Sequence, residues 1–529
     1  MTLPILLAVF AIPTISIPFV YFVGKKSPKA AAIFVALIAL INVGLVLSTV
    51  PSVLNNVTHR YVESYAWIPT LNNTSFSLFV DGISASVALI SLVLIFVAAL
   101  FSVNYMAGKK NLPSYYALLC MLSVGLIGVF ITSNLLLFYF CWELMLVPAY
   151  FIVGEWGYRN SYKSAFKLFI FTHAGAVFVL LGIGAIYYLT GTTDMFQAQT
   201  ALMTAAPDII KWIIIALTAG FAVKMAVFPV HMWLPDAHSE APAPMSALLS
   251  GVIISAGAYA ILRLSFGIVF PSVGVAFGTS FLQALSIIGV ITAFFGSFLA
   301  LVATDIKRLI AYSSIAHMGY IMFGLSLFPV SLAAGTAVLL VSATAIVGTV
   351  LHIITHAASK GLFFLTAGGI MHQTEERDIR KMGGLASKMP FSTVSGTIAA
   401  LSIAGAPPLA CFISEFLIFV GAIQIINLTG GLSSFYIIPT ALMLIATVFS
   451  LAYALRFISK VFLGQSKDEH GVEEAEVITT EPGHEKHKIV DIPNYMKAAL
   501  AILVVLVVLI GIYPTFFMNL IQTVTFGGA

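Results

Sequence analysis

Residues 221–242 have the sequence FAVKMAVFPVHMWLPDAHSEAP, an apolar run that contains a single lysine, Lys224, and ends in a polar segment. Pro229 follows five residues after the lysine, and the polar segment carries two histidines, an aspartate and a glutamate. An ammonium group in hydrocarbon costs ~2.5–3.5 kcal/mol on insertion scales, so it indicates a functional site and requires a partner. The stretch therefore predicts a membrane protein with a buried ionisable site.

The composition of the whole chain supports a membrane location. Of 529 residues, 60% are hydrophobic and only 9% are charged, which excludes a soluble domain, where about a quarter of the residues carry charge. Apolar runs of about twenty residues each predict one spanning helix. The fourteen predicted spans lie near 3–23, 30–50, 79–105, 114–132, 134–154, 164–190, 208–230, 243–267, 281–303, 309–328, 333–371, 391–424, 436–463 and 495–520. The expected fold is an all-α polytopic membrane protein.

The lysines and arginines predict the orientation of these spans. If the N-terminus is outside, twenty of the 25 basic residues fall in cytoplasmic connections, and only Arg60 and Lys211 fall in outer ones. Positive residues concentrate on the cytoplasmic side of membrane proteins. The sequence therefore predicts that both termini are outside. The run 333–371 is too long for one perpendicular span. It is compatible either with a tilted helix that has a broken or extended end, or with two short segments.

Helix breakers interrupt two of the predicted spans. Pro229 closely follows Lys224 in the seventh span, and residues 405–408, with the sequence GAPP, interrupt the twelfth. Broken helices in corresponding positions of two halves are typical of ion sites in transporters built from inverted repeats. The two breaks are five helices apart, and this odd number reverses the direction of the chain. We therefore predict two inverted five-helix repeats with broken seventh and twelfth helices.

Glu143 is the predicted partner of Lys224, because it lies deep in another apolar run, FYFCWELMLVP at residues 138–148. Each charge lowers the cost of burying the other. The alternative is a structural ion pair that only fixes helix packing.

The eleventh span carries a second group of ionisable residues. His352, His356 and Lys360 are spaced four apart and share one helix face, which is typical of a proton relay. His317 on the tenth span is a further candidate. A metal pair is disfavoured by the neighbouring Lys360 and by the lack of an added carboxylate or thiolate ligand. A metal site is also disfavoured at His470, His484 and His487, because these residues are irregularly spaced among solvated charges. We interpret His173 as a packing residue and Arg263 as a structural residue that reaches the membrane surface.

Several long motifs in fixed order resemble the antiporter-like family, which comprises proton-translocating membrane subunits of respiratory complex I and of related cation/proton antiporters and membrane hydrogenases. The motifs are WE at 142–143, the opening stretch, TDIKRLIAYSS at 304–314, HMG at 317–319, HAASKG at 356–361 and DIRKMGGL at 378–385. The resemblance implies two antiporter-like repeats at 106–270 and 271–463, after an N-terminal three-helix region at 1–105. A polar cytoplasmic loop at 464–494 and a C-terminal transmembrane helix at 495–529 complete the predicted organisation.

The M-chain type within this family is indicated by Glu415, where sister chains usually have lysine. The resemblance implies that Glu143 and Lys224 form the pair of the first half-channel. It likewise implies that His317 and His356 form the connecting relay and that Glu415 is the exit group of the second half-channel. In this chain Ser255 stands where the type usually has a lysine. We therefore hypothesise that Lys360 supplies the missing central charge.

The predicted function is proton translocation as a subunit of a complex I-like NADH (or other donor):quinone oxidoreductase in a prokaryotic cell membrane. No cofactor or metal site is expected in this chain. Flavin and iron–sulfur clusters are expected in partner subunits, together with sister antiporter-like chains and the lipid bilayer, and no nucleic acid. NADH, reduced ferredoxin, a deazaflavin and hydrogen are equally compatible electron donors. The alternatives are a sodium/proton antiporter or hydrogenase subunit, and a scaffold whose charges only pack helices.

Overall fold

The computed structural model describes residues 4–56, 58–72, 74–204, 206–328, 336–427, 434–464 and 489–524. The helices are α1 (Ile5–Lys26), α2 (Pro28–Asn55), α3 (Gly82–Tyr105), α4 (Leu112–Ile131), α5 (Leu135–Leu144), α6 (Leu146–Trp156), α7 (Ser161–Thr190), α8 (Met195–Leu202), α9 (Pro207–Met225), α10 (Leu234–Glu240), α11 (Ala243–Ser272), α12 (Val275–Val302), α13 (Ile306–Leu325), α14 (Thr336–Thr374), α15 (Leu385–Lys388), α16 (Pro390–Ile403), α17 (Ala410–Asn427), α18 (Ile437–Val461), α19 (Asn494–Ile512) and α20 (Thr515–Gln522). Two strands, β1 (Tyr61–Ile68) and β2 (Thr74–Val80), form an antiparallel pair.

Twelve helices in the described part of the chain are long and apolar enough to cross a membrane. They confirm the predicted polytopic membrane fold. Two further predicted spans, 208–230 and 309–328, lie on α9 and α13, which are more polar. The long run near 333–371 forms one continuous helix, α14, of 39 residues. The alternative of two short segments there is wrong.

The β1–β2 hairpin was not expected from the sequence. It joins α2 to α3 and brings Glu63 under the start of α1, where the carboxylate accepts hydrogen bonds from the backbone N–H groups of Leu6 and Leu7 at 2.9 and 3.0 Å. The first N–H groups of a helix have no partner within the helix, and an acid there is stabilised by the helix dipole. The hairpin therefore caps the first helix.

Both predicted helix breaks are present. Pro229 has no N–H to donate to the carbonyl of Met225, and α9 ends at Met225, followed by Ala226 in the left-handed region at φ 59°. The chain resumes its helix only at α10. In the second break, α16 and α17 are separated by residues 404–409, and Gly405 has φ 68°. The arrangement of the two halves as inverted repeats stays a prediction.

The long helix α14 lies at the centre of the molecule. It packs against α3, α11, α13, α16, α17 and α19. Within the membrane-length part of α14, Ala343–Thr374, residues 345–371 are all buried, although they include two histidines and a lysine. Polar groups in a spanning helix are tolerated where they face protein rather than lipid. The position of α14 therefore brings its ionisable residues against several other helices.

Candidate functional site

Lys224 lies in the last turn of α9 and is almost fully buried, with 3% of the residue exposed. Its Nζ donates a hydrogen bond to the backbone carbonyl of Trp142 at 3.0 Å and lies 4.2 Å from the centre of the Trp142 ring. Pro148 lacks the N–H that would bond to Leu144, and α5 ends at that residue. The Trp142 carbonyl is thus in a last turn, where carbonyls lack helical partners and where cations are favoured.

Glu143 contacts His173 instead of Lys224. Its Oε2 lies 3.0 Å from Nδ1 of His173 on α7, and the Glu143 side chain is 26% exposed. The predicted direct ion pair between Glu143 and Lys224 is therefore wrong for this conformation. Trp142 and Glu143 are consecutive residues and project ~100° apart around α5, so Lys224 reaches the backbone of the first and not the carboxylate of the second. Glu143 is still the acid whose charge acts on Lys224.

His173 therefore does more than the packing role predicted from the sequence. Its ring stacks on Phe169, with ring centres 5.6 Å apart, and its Nδ1 holds Glu143. A lone histidine on a spanning helix carries no sequence signal that distinguishes these roles, because α5 and α7 meet only in the tertiary structure.

Between the two halves, α11 contributes small polar residues rather than charges. The hydroxyl of Ser255 is buried and has no hydrogen-bond partner among the described residues. One turn away, Ser250 lies 2.8 Å from Ser314 of α13. Two π-helical stretches, Leu249–Ile253 and Ile261–Val269, flank the turn that holds Ser255, and such stretches are frequent at functional sites.

Lys360 is fully buried on α14 and binds α13. Its Nζ donates to the carbonyl of Ile310 at 3.2 Å and to the hydroxyl of Ser313. Within the described ranges no carboxylate lies within 4.0 Å of this ammonium group. His238 of α10 is also fully buried, and both of its ring nitrogens lack partners in the part of the chain that is described. The His238 ring centre lies 5.3 Å from that of Phe364, which is one turn after Lys360 on α14.

A chain of hydrogen bonds runs from α13 through α14 to α17. Nδ1 of His317 lies 3.0 Å from Nε2 of His352, and Nδ1 of His352 lies 2.8 Å from the hydroxyl of Ser414. Nδ1 of His317 is also 3.8 Å from the Glu415 carboxylate. On its other side, Nε2 of His317 lies 3.3 Å from the hydroxyl of Tyr453. Four helices thus meet at one buried polar cluster.

His356 lies beside this cluster without joining its hydrogen bonds. Its ring centre is 5.6 Å from that of His317, and both of its ring nitrogens lack partners among the residues described. It occupies the position on α14 between His352 and Lys360. The predicted relay residues of the second half therefore lie in one region, with His356 between the hydrogen-bonded cluster and Lys360.

Glu415 depends on the second helix break for its position. A Cβ atom on Gly405 would lie 2.6 Å from Oε2 of Glu415, closer than real Cβ atoms approach. Gly405 also has φ 68°, where side chains are strained. The broken segment therefore supplies a backbone surface on which the carboxylate rests.

His238, Ser414 and Tyr453 were not among the site residues predicted from the sequence. His238 stands in the polar end of the opening stretch, so its type and position were a usable signal. Ser414 directly precedes Glu415 on α17, and its role depends on which residue of α14 it faces. Tyr453 comes from α18, and only the tertiary structure brings its hydroxyl to His317.

Arg263 was expected to reach the membrane surface, and that expectation is wrong. Its guanidinium is buried and forms an ion pair with Asp81 at 2.7 Å. The same side chain lies 5.0 Å from the centre of the Phe79 ring. Asp81 caps α3 and follows the unpredicted hairpin, so a buried partner for Arg263 was not visible in the sequence. Arg263 is structural, as predicted, but through a buried pair.

At the end of the molecule where α14 finishes, Arg377 joins three segments. Its guanidinium lies 2.8 Å from Asp305 and 3.4 Å from Glu240. Burial lowers the pKa of Arg377, but attraction to the two carboxylates outweighs burial and raises it above the ordinary value. In the same loop, hydrogen bonds from Arg380 lower the pKa of Asp378 to about 2. These pairs hold α10, α13 and the end of α14 together.

His470, His484 and His487 lie outside the described residues.

A helical membrane fold with two broken helices and buried lysines, histidines and carboxylates at its centre defines an antiporter-like membrane subunit. The family described as "NADH:quinone oxidoreductase/Mrp antiporter, TM" matches residues 132–439, and the chain belongs to this family. The resemblance inferred from the motifs is confirmed.

Relatives place the chain further within the family. It is 31% identical to NADH-quinone oxidoreductase subunit M of Rickettsia conorii, with 98% of this chain and 97% of the relative covered. It is 33% identical to F(420)H(2) dehydrogenase subunit M of Methanosarcina mazei, over 79% of this chain and 81% of the relative. The fold is shared with a chain of respiratory complex I from Thermus thermophilus, with a TM-score of 0.79, 22% identity and 98% of both chains covered. The predicted similarity to the M-chain type is confirmed.

Proposed function

We propose that this chain translocates protons as a membrane-arm subunit of a complex I-like NADH (or other donor):quinone oxidoreductase. The observation that carries the proposal is a set of ionisable groups, namely the buried lysines, histidines and Glu415 together with the partly exposed Glu143, that extends from α5 and α9, past α11 and α14, to α17. Ionisable groups inside a membrane are costly and mark ion pathways by default. Membership of the family and the similarity to chains called subunit M support this assignment.

In the first half, we propose that Lys224 changes its proton affinity when its surroundings change. Lys224 rests on the Trp142 carbonyl, and Glu143 is held nearby by His173. A movement of Glu143 toward Lys224 favours the charged ammonium, and a movement away favours loss of its proton. In this scheme His173 is the alternative partner that holds Glu143 when it is not paired with Lys224.

In the second half, the proton moves between neighbouring imidazoles. The hydrogen bond between His317 and His352 permits transfer without a movement of heavy atoms, because each ring has one donor and one acceptor nitrogen when neutral. Glu415 lies beside His317 and is the terminal group of this half. His356 bridges the space toward Lys360 when water or a small ring movement completes its hydrogen bonds.

The centre of the pathway is assigned to Lys360. Ser255 carries no charge, whereas Lys360 is fully buried and, among the described residues, is bonded only to neutral oxygens of Ile310 and Ser313. A buried cation without a carboxylate partner is costly, and its proton is correspondingly easy to give up. His238 contacts α14 at Phe364, one turn after Lys360, and is added to the predicted relay residues.

Electron transfer is assigned to partner subunits. The chain contains three cysteines, fewer than the four that hold an iron–sulfur cluster, and they lie buried on α4, α5 and α17. We propose that flavin and iron–sulfur clusters reside in peripheral partners and that sister antiporter-like chains flank this subunit. We also propose that the chain lies in a prokaryotic cell membrane with both termini outside.

A second function, cation/proton antiport, is favoured by one observation: the matching family includes Mrp antiporter subunits. The two functions differ in their dependence on sodium and on an electron donor. If the chain works without a redox partner, proton movement will respond to a sodium gradient and not to oxidation of a donor.

The test uses the assembled complex reconstituted into vesicles, with donor oxidation and internal acidification measured together. Glu415→Gln is expected to leave the complex assembled and to abolish or strongly reduce the protons moved per electron pair. Lys211→Ala is the matched control, because Lys211 is an exposed residue paired with Asp208. Normal stoichiometry in Glu415→Gln would refute the proposed role of this residue. Loss of assembly in every relay variant would favour the scaffold.

A further inference from the structure

The polar cluster on α13, α14 and α17 presents three metal-ligating atoms to one point. Nδ1 of His317, Nε2 of His352 and a carboxylate oxygen of Glu415 all lie within 4.8 Å of one another. The sequence argued against a metal pair on α14 because no carboxylate accompanied the histidines. The tertiary structure supplies that carboxylate from α17 and the first imidazole from α13.

We propose that these three atoms form an inhibitory binding site for a divalent ion of the Zn²⁺ type. The ion takes the place of the proton that the two imidazoles share. Zinc binds imidazole nitrogen and carboxylate oxygen at about 2.0–2.2 Å, so tetrahedral ligand atoms are ~3.3 Å apart. The measured separations are 3.0 Å between His317 and His352 and 3.8 Å between His317 and Glu415. The third separation, between His352 and Glu415, is within 4.8 Å, so side-chain movements of up to ~1.5 Å bring the three ligands to zinc geometry.

The outer nitrogens of both rings are already held as zinc ligands require. A histidine that binds a metal through one nitrogen usually donates its other N–H to an acceptor, which fixes the tautomer. Nδ1 of His352 lies 2.8 Å from the Ser414 hydroxyl, and that hydroxyl donates in turn to the carbonyl of Cys411 at 2.9 Å. Ser414 therefore accepts from His352, which leaves Nε2 of His352 with its lone pair toward His317.

His317 needs only a change of tautomer. Its Nε2 lies 3.3 Å from the Tyr453 hydroxyl, which is able to donate or accept. When the Tyr453 hydroxyl accepts a hydrogen bond from Nε2 of His317, Nδ1 of His317 carries a lone pair. This nitrogen and Nε2 of His352 then both present lone pairs toward the Glu415 carboxylate. Removal of the shared proton therefore creates the site without rearrangement of the helices. The fourth position of the ion is left for water.

The surroundings set the strength and consequence of binding. Lys360 lies two turns after His352 on the same face of α14 and binds Ser313, one turn before His317, so its positive charge weakens the affinity for a cation. Binding removes two imidazoles and one carboxylate from proton exchange at once. Inhibition rests on the proposed function of these residues, whereas metal binding itself does not.

The experiment measures bound zinc and pumping separately. The assembled complex is stripped with chelator, incubated with Zn²⁺ and passed through a desalting column. Zinc per complex is then counted by mass spectrometry, and its ligands are identified by X-ray absorption at the zinc edge. The wild type is expected to hold one zinc ion more than His352→Gln or Glu415→Gln, with two imidazoles and one carboxylate as ligands. His372→Gln is the matched control on the same helix and is expected to hold as much zinc as the wild type.

A second variant covers the case in which the ligand variants fail to assemble. Tyr453→Phe keeps all three ligands but removes the outer acceptor of His317, and it is expected to weaken zinc binding by ~10-fold, at the lower end of the loss seen for such partners. Equal zinc content and affinity in all complexes would overturn the site. Zinc lost from Glu415→Gln together with normal pumping would confirm the site and refute the proposed role of Glu415. Zinc bound in the wild type without slower pumping would overturn the inhibitory role.

Discussion

The Glu143 carboxylate rests on the His173 imidazole, 3.0 Å from its Nδ1, on the side of α5 that faces α7. Lys224 takes the neighbouring carbonyl of Trp142 instead. The acid and the lysine of the first half therefore do not bind each other, because each is held by a different partner. In the proposed scheme Glu143 acts on Lys224 from two positions, one bound to His173, as in this structure, and one released from it.

His173→Gln tests whether His173 holds Glu143 for pumping. Both side chains are partly exposed, so their pair contributes ~1 kcal/mol or less, and we expect the pumping rate to fall by less than about tenfold. Glu143→Gln is expected to have a larger effect, since it removes the charge itself. Acidification of vesicles during donor oxidation measures both. The role assigned to His173 is wrong if His173→Gln pumps at the same rate as the control His372→Gln.

Lys224→Met is expected to abolish pumping while most of the complex still assembles. The substitution keeps much of the side-chain volume but leaves the buried Trp142 carbonyl without a donor, which costs ~1–3 kcal/mol of stability. Lys224→Arg retains a donor and is expected to restore assembly more than pumping. For each variant, the number of protons moved per electron pair is measured in vesicles, and the amount of assembled complex is measured on native gels. Lys211→Met is the control. Full pumping in Lys224→Met would contradict the assignment.

Lys360→Ala tests the hypothesis that Lys360 supplies the central charge that Ser255 lacks. We expect the complex to assemble and proton movement to be lost. Donor oxidation then either continues without proton movement or stops together with it. The reason is that Lys360 is the only lysine, arginine or carboxylate residue on α14, and its ammonium group is buried against α13. Pumping at the normal stoichiometry in Lys360→Ala would disprove this hypothesis.

Gly405→Ala is expected to displace Glu415. The new Cβ would lie 2.6 Å from the carboxylate, and the residue has φ 68°, which costs a non-glycine residue ~1–3 kcal/mol. We predict a lower thermal stability of the complex and impaired pumping. Gly44→Ala on α2 is the control, since no atom lies within 4 Å of a Cβ at that position. An unchanged melting temperature in Gly405→Ala would contradict the proposed fit of this glycine.

Arg263→Met is expected to destabilise the chain by ~3–5 kcal/mol, because it leaves Asp81 charged and buried without its partner. The double variant Arg263→Met with Asp81→Asn is expected to recover a substantial part of this loss. Thermal stability and yield of the assembled complex measure both. If the single and double variants are equally unstable, the ion pair is not the cause. Normal proton stoichiometry in the double variant is expected, since neither residue belongs to the proposed pathway.

The fold class followed from the sequence because the physical signal is local. Each span is a run of apolar residues whose length matches the bilayer, and the breaks after Lys224 and before Glu415 come from prolines that remove a backbone donor. The hairpin was missed because β1 and β2 lie between long helices and their alternation is weak. Several buried ionisable residues, such as Lys224, Lys360 and Glu415, also followed from the sequence, since charges in apolar runs are rare enough to stand out. Asp81 and Lys307 are buried as well but were not predicted, and Glu143, which was predicted to lie deep, is partly exposed.

The partners of those residues were decided only by the tertiary structure. Sequence spacing correctly put His352, His356 and Lys360 on one face of α14, but it was silent on which helices that face meets. The rotation of α5 gave Lys224 the carbonyl of Trp142 and gave Glu143 to His173. The crossing of α13, α14 and α17 put Glu415 beside His317 and His352. The sequence alone thus determined that the ionisable residues deep in apolar runs, such as Lys224, Lys360 and Glu415, are buried, whereas helix packing determined which group each of them meets, because those contacts join residues far apart in the chain.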